Sequence, residues 1–167
     1  MIRTIIFFIT MLAPIVAPEA RADHPLPQAA ARKRIDIAVR QLSPIAFGTF
    51  ASSDNGGTVT IEATSGARIT TGAISTLSGG DYGQAEFLII GQPGEEILVS
   101  PPNSVTLGTP GGGDMVITDF KIMPAEILTI DRDGRAKIKI GGTLKVPGNA
   151  AYGSYSSIFT VAVRYSH

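Results

Sequence analysis

The side chains most often used in catalysis are scarce in this chain, and their positions do not suggest a catalytic group. There are two histidines, His24 and His167, near the two ends, and there is no cysteine. A Ser-His-Asp triad needs a histidine held in a fixed geometry, and a zinc site needs several histidine or thiolate ligands. Chain ends seldom supply such geometry. The chain is therefore expected to be no enzyme and to need no metal ion or other cofactor.

Acidic and glycine-rich motifs lead to the same expectation. Glu95 and Glu96 are adjacent, so on a strand they would point to opposite faces and could not act as a glycosidase pair. The segment 131–134 (Asp-Arg-Asp-Gly) resembles the start of a calcium loop, but the twelfth position is Gly142 instead of glutamate. A hairpin turn is the favoured interpretation. The run 111–113 lacks the lysine and following helix of a phosphate loop.

The carboxyl-terminal segment carries the clearest structural pattern. From Gly153 to Tyr165, apolar and aromatic residues alternate with polar ones, which predicts one strand with one buried face. The residues of the inward face are Tyr155, Phe159, Val161, Val163 and Tyr165. We expect them to belong to the core or to border an assembly groove.

The elements before it follow the same two-residue period. It recurs in 58–64 and 135–146, where Gly141 and Gly142 suggest a bulge, and the most apolar run is 84–91. Asp54-Asn-Gly-Gly57 is a strong turn signal. Turn signals at short intervals predict about eight to ten short strands. The expected fold is all-β, an immunoglobulin-like or pilin-like β-sandwich.

The amino-terminal residues predict export. Residues 1–22 combine Arg3, an apolar run over 5–16 and a small-x-small site at 20–22, as in a secretory signal peptide. The run is too short to span about 30 Å of hydrocarbon, and no second one follows. The expected location is the periplasm, cell surface or extracellular space, with no membrane span after cleavage. Residues 23–34 are predicted to be a flexible segment, and 35–167 the β-sandwich domain.

Charge excludes one class of partner. Lys+Arg and Asp+Glu both number 14, so no basic field is present that would attract nucleic acid.

The order of several glycine motifs adds a family resemblance. Gly57-Thr-Val-Thr-Ile61, Gly91-Gln-Pro-Gly94, Gly141-Gly-Thr-Leu-Lys-Val146 and Gly153-Ser-Tyr155 follow one another before the last strand. This order resembles the bacterial DUF4402 family, which is similar in layout to the spore coat protein U domain and to chaperone–usher pilins. The resemblance implies a secreted, non-catalytic structural or adhesive protein of Gram-negative bacteria, such as a fimbrial subunit. Its expected partners are itself or related subunits and a periplasmic chaperone. Many related pilins have a cysteine pair that is missing here.

Assembly of this kind would proceed by donor-strand addition, in which a segment of one subunit fills a groove in the next. The candidate donor residues are Ile35, Ile37 and Val39, although the same segment is slightly better interpreted as the first strand of the chain's own domain. The alternative function is a monomeric extracellular carbohydrate- or surface-binding module that uses exposed tyrosines such as Tyr82 and Tyr152.

Overall fold

Alternating apolar residues and frequent glycine turns produce an all-β sandwich of two antiparallel sheets. The computed structural model describes residues 34–107 and 114–166. They contain twelve strands, more than the expected number: β1 (Ala38–Ser43), β2 (Ile45–Ile61), β3 (Arg68–Thr76), β4 (Tyr82–Gly83), β5 (Ala85–Ile90), β6 (Glu96–Ser100), β7 (Val105–Leu107), β8 (Met115–Met123), β9 (Ile127–Thr129), β10 (Arg135–Val146), β11 (Gly153–Ser157) and β12 (Ala162–Tyr165).

Several predictions fall on other residues. The signal peptide of 1–22, the part of the flexible segment before Arg34, the glycine run 111–113 and both histidines lie outside the described residues. Within the described ranges, no helix has the length and apolar character needed to cross a membrane.

The larger sheet has nine strands, and the smaller has three. The larger sheet follows the order β1-β5-β10-β2-β11, with β3 and β4 paired to β2, β8 paired to β10, and β7 paired to β8. The smaller sheet has the order β12-β6-β9. The buried faces of both sheets form a single hydrophobic core.

Strand β2 organises the larger sheet because both of its edges are fully used. One edge pairs with β10 and then β11, and the other pairs with β3 and then β4. The turn predicted at 54–57 is wrong, because β2 continues through these residues with only a register shift between Ser52 and Gly57. Gly57 carries no side chain where the strand packs against the Thr71 carbonyl of β3, so the two strands can bend together.

The predicted inward faces are confirmed in the middle of the sheet. Val59, Ile61 and Ala63 are buried, whereas Thr60 and Glu62 are not. Strand β10 buries five apolar side chains: Ala136, Ile138, Ile140, Leu144 and Val146. The irregularity predicted at its glycine pair is present, but the extra residue lies in β8, where Asp119 and Phe120 face Gly142. Each buried methylene contributes about 0.8 kcal/mol to the free energy of unfolding, so these faces fix the registers.

The carboxyl-terminal segment is not a single strand. It forms β11 in the larger sheet and β12 in the smaller one, and residues 158–161 connect the two sheets. The predicted alternation is nevertheless correct, since Phe159 and Val161 are buried and Ile158 is 79% exposed. An extended connection keeps the two-residue period, so side-chain alternation alone does not reveal the change of sheet.

The hairpin predicted between 127–130 and 135–146 is also wrong in its pairing. Strand β9 pairs with β6 in the smaller sheet, whereas β10 lies in the larger sheet. The turn itself is present, because Gly134 donates to the Asp131 carbonyl and Asp131 Oδ1 accepts from the Asp133 and Arg135 amides. This carboxylate caps a turn, in agreement with the favoured interpretation.

Candidate functional site

Two strands at the ends of the described fold each have one open edge. Among the described strands, β1 pairs only with β5, and β12 pairs only with β6. A strand edge without a partner presents a row of backbone donors and acceptors that can bind another strand. Among the same described strands, β3, β4, β7, β9 and β11 likewise pair with one strand each, but β1 and β12 are candidates for a single site because Tyr165 of β12 contacts the residues before β1.

Tyr165 brings the two open edges together at one end of the sandwich. Its hydroxyl donates to the Ile35 carbonyl (2.5 Å) and accepts from the Gln92 amide (2.9 Å). The Arg34 guanidinium lies over the Tyr165 ring, 4.7 Å from its centroid, and also contacts Glu95. The residues that lead into β1 are thus held against the end of β12.

Phe159, six residues before Tyr165, contacts aromatic side chains of the larger sheet. Its ring packs against Phe87 at 5.9 Å and against Phe120 at 5.0 Å between ring centroids. Phe87 is the register partner of Gln41 in β1. Tyr165 thus contacts a residue just before β1, and Phe159 packs against the β5 residue that pairs with Gln41 of β1.

Inward-pointing apolar side chains of the edge strands β1 and β12 are only partly buried. Val39 is paired with the fully buried Ile89 and shares its face, yet it is 41% exposed. Val163 is paired with the buried Val99 and is only half-buried. Apolar side chains that point inward but stay partly in water show where an added strand would bury more surface.

The backbone N–H and C=O groups of two β12 residues, Val163 and Tyr165, also point toward the open edge. Ser166 donates to the Glu96 carbonyl, which makes 166 and 96 a hydrogen-bonded pair. Hydrogen-bonded and non-hydrogen-bonded pairs alternate in an antiparallel ladder, so the N–H and C=O groups of Val163 and Tyr165 point away from β6. They can pair with a further strand.

The predicted site residues divide into two groups. Four of the five inward residues of the carboxyl-terminal segment lie in or just before β12 and belong to the core or pack against it: Phe159, Val161, Val163 and Tyr165. Tyr155 lies instead in β11 of the larger sheet, where its ring stacks on Phe50 at 4.8 Å.

The candidate donor residues lead into β1. Ile35 is 50% exposed, Ile37 packs against the core, and Val39 pairs with β5 in the same chain. The segment thus has an intrachain partner for its last residues and a largely exposed start.

The two exposed tyrosines do not form one binding platform. Tyr82 belongs to β4 and Tyr152 precedes β11, and these strands lie on opposite edges of β2. The Tyr82 ring already stacks on the Arg68 guanidinium, whose carbon is 4.5 Å from the ring centroid. The predicted tyrosine platform therefore lacks the required arrangement.

Acidic residues likewise remain scattered. In the described ranges, no three His, Cys, Asp or Glu side chains come close enough to hold a metal ion.

Comparison with known proteins adds one finding. A family model described as a domain of unknown function, DUF4402, matches residues 37–165. The chain belongs to the DUF4402 family. No curated protein and no solved structure is significantly similar to it. In this DUF4402 protein, the family match covers both open edges, β1 and β12.

One feature of this DUF4402 fold, a cavity beside Asp119, was not predicted from the sequence. Opposite Gly142 of β10, strand β8 is bulged and contains Asp119 with a positive φ of 54°, and a cavity opens next to it. The Gly141-Gly142 pair indicated an irregularity but not the cavity, because the β8 residues that form the bulge could not be identified from the sequence pattern.

Proposed function

We propose that this DUF4402 protein is an exported, non-catalytic structural subunit of the bacterial surface that assembles by strand addition. In this proposal, an extended segment of one copy pairs with the open edge of β12 in the next copy. The observation that carries the proposal is the pair of open edges, β1 and β12, which are linked by the contact of Tyr165 with Ile35 and carry inward apolar residues that are partly exposed. The amino-terminal signal pattern supports export.

The acceptor would be β12 together with the connection that precedes it. Val163 and Tyr165 offer outward backbone groups, and the half-buried Val163 offers an apolar surface for a new neighbour. Ladder hydrogen bonds would provide affinity, and alternate side chains would provide specificity. An isolated subunit with such an edge is prone to aggregation, which is why a periplasmic chaperone is the expected partner before assembly.

The donor would be the segment with Ile35, Ile37 and Val39 from a second copy. Its apolar side chains occur at every second residue, as a donor strand requires. Within its own subunit, it is bound through the ladder with β5 and the contacts around Tyr165. Pro44 separates β1 from β2 and has no backbone N–H to donate, so the ladder is interrupted there. Release of β1 from β5 and its transfer to a neighbour would join subunits head to tail, which makes filaments.

The acceptor edge can be tested by a substitution that blocks pairing without breaking the domain. Val163→Pro removes an N–H that points away from β6, and proline is tolerated on edge strands. Val163→Ile keeps that N–H and serves as the matched control. Size-exclusion chromatography with light scattering and electron microscopy would measure assembly of the chain from Asp23 onward, with and without a cognate chaperone.

We expect filaments or large oligomers for the unsubstituted chain and for Val163→Ile, and folded monomers for Val163→Pro. A variant that begins after Val39 should also fail to assemble. The proposal is wrong if the unsubstituted chain stays a monomer under all these conditions, or if Val163→Pro assembles as well as Val163→Ile.

A further inference from the structure

A cavity of about 460 Å³ opens on the larger sheet, away from the edges used for assembly. We name it the outer-face cavity; its polar lining consists of Thr60, Glu62, Thr64, Asp119, Lys121 and Thr143. It lies on the solvent face, because Thr60 and Thr143 alternate with the buried residues Val59 and Leu144. Its volume falls within the range of about 300–1,000 Å³ that is usual for small-molecule sites.

A bulge in β8 shapes this cavity. The register of β8 and β10 shifts between Gly141 and Thr143, so Asp119 and Phe120 both lie opposite Gly142. Asp119 has a φ of 54°, in the left-handed region, which costs a residue other than glycine about 1–2 kcal/mol. Bulges commonly redirect a side chain next to a binding site, and here the bulge places the Asp119 carboxylate at the cavity.

The charged groups of the cavity are not neutralised by one another. The ion pairs found among the described residues involve other side chains, so Glu62, Asp119 and Lys121 make none with each other within 4.0 Å. Glu62 accepts a hydrogen bond from Ser65, and Asp119 accepts one from Thr118. Each ionised carboxylate has about four acceptor positions, so both retain capacity for a ligand.

Apolar surface and hydroxyl groups complete the lining. Ile122 and Met123 present apolar side chains, and the hydroxyls of Thr60 and Thr143 are hydrogen-bonded to each other at 3.0 Å. A sugar ring with several hydroxyls fits this lining. Its hydroxyls can donate to the carboxylates and accept from the ammonium group, and its apolar face can contact the small apolar surface. We propose that the outer-face cavity binds a neutral or amino sugar of a glycan.

The charge of the lining separates this ligand from others. Two carboxylates and one lysine give the outer-face cavity itself a net negative charge, which disfavours phosphate and acidic sugars there; the nearby Lys137 and Lys139 both form ion pairs with Glu86. A purely apolar ligand would leave these polar groups desolvated without partners. A sugar hydroxyl can serve both as donor to a carboxylate and as acceptor from Lys121.

A second, smaller cavity extends the site. It has a volume of about 220 Å³ and shares Thr64 and Met123 with the outer-face cavity, while Lys137 and Lys139 form its far side. A glycan of two or more units would reach both cavities. We therefore expect a disaccharide to bind more tightly than either of its monosaccharides.

The test is nuclear magnetic resonance of the labelled chain with Val163→Pro, titrated with glucose, galactose, N-acetylglucosamine, glucosamine and their disaccharides at millimolar concentration. We expect saturable shifts at the amides of Thr60, Lys121 and Thr143 for at least one sugar, with the disaccharide tighter. Because this variant is designed to stay monomeric, loss of sugar binding and loss of assembly are separate results. The inference goes beyond the proposed function and does not depend on it.

Two substitutions make the assignment specific. Asp119→Gly removes the carboxylate and relieves the positive φ, so the protein should stay folded while the apparent dissociation constant rises about tenfold. Glu62→Gln should act in the same direction. Glu126→Gln, an exposed acidic residue outside the cavity, is the control and should leave binding unchanged.

Three results would overturn the inference. The first is the absence of saturable shifts with every sugar, and the second is shifts centred on Tyr82 or Tyr152 instead of the cavity. The third is equal affinity for the sugar in the Asp119→Gly variant and in the protein that keeps Asp119. Preferential binding of inorganic phosphate over all sugars would also contradict it.

Discussion

The contact between Tyr165 and the residues before β1 should make a measurable contribution to stability. The substitution Tyr165→Phe removes only the hydroxyl, which donates to the Ile35 carbonyl and accepts from the Gln92 amide. The ring, its place against the core and its contact with Arg34 are all retained. Any change therefore reports on these two hydrogen bonds.

The size of the effect follows from the surroundings of the two partners. Each hydrogen bond contributes about 0.5–1.5 kcal/mol net, and a partner left without one in a partly buried position costs more. The Ile35 side is exposed, so water can replace the hydroxyl there, whereas the Gln92 side is partly buried. We expect the free energy of unfolding to fall by about 2 kcal/mol, which corresponds to a decrease in Tm of roughly 6 °C for a domain of this size.

Urea denaturation followed by circular dichroism would measure this change, with Val163→Pro in the background to keep the protein monomeric. Tyr152→Phe is the matched control, because Tyr152 is 70% exposed and its hydroxyl should contribute only a few tenths of a kcal/mol. If Tyr165→Phe and Tyr152→Phe lower the stability equally, the hydroxyl does not tie the start of β1 to β12. The description of the candidate site would then be wrong at this end.

The remaining predictions concern the carboxyl-terminal segment and a bulge near Gly48 of β2, where the pairing of β2 with β11 shifts register. Val161→Asp should lower the free energy of unfolding by more than about 3 kcal/mol, since it places an unpaired charge at a site only 8% exposed; Ile158→Asp, in the same connection but outside the core, should change it by less than about 0.5 kcal/mol. Equal thermal melts of these two variants would contradict the assigned faces. Gly48→Ala should cost about 2 kcal/mol, because Gly48 has a φ of 73° and its new methyl group would collide with the Arg68 guanidinium. A melting temperature equal to that of the unsubstituted chain would show that this bulge adjusts freely.

Side-chain alternation was sufficient to predict the faces of the strands but not all of their partners. The inward residues from Tyr155 to Tyr165 are correctly assigned, although the chain moves from one sheet to the other between Ser157 and Ala162. Alternation depends on an extended backbone, which both strands and straight connections have. Pairing depends on contacts between residues far apart in sequence, and no local pattern encodes them.

Turn signals predicted local backbone features but did not predict which strands would pair across them. The Asp131–Gly134 turn is present, yet its flanking strands belong to different sheets. Gly57 allows a close approach of β2 to β3, and Gly56 allows a close approach to Val146 and Pro147 at the end of β10, instead of a turn. The candidate site could be predicted only in part for the same reason, because it depends on the contact between Tyr165 and Ile35, which are far apart in sequence.

The most direct test of strand exchange is a disulfide that locks β1 in its own subunit. Ala38 and Ile90 are exposed register partners of β1 and β5, and the chain has no cysteine of its own, so Ala38→Cys with Ile90→Cys introduces a single pair with suitable Cα spacing. The measurement is the size distribution of this variant under assembly conditions, oxidised and then reduced. If β1 is the donor, the oxidised protein stays monomeric and assembly returns on reduction. Equal assembly of the oxidised and reduced protein, with the disulfide shown to lie within one chain, would contradict strand exchange through β1.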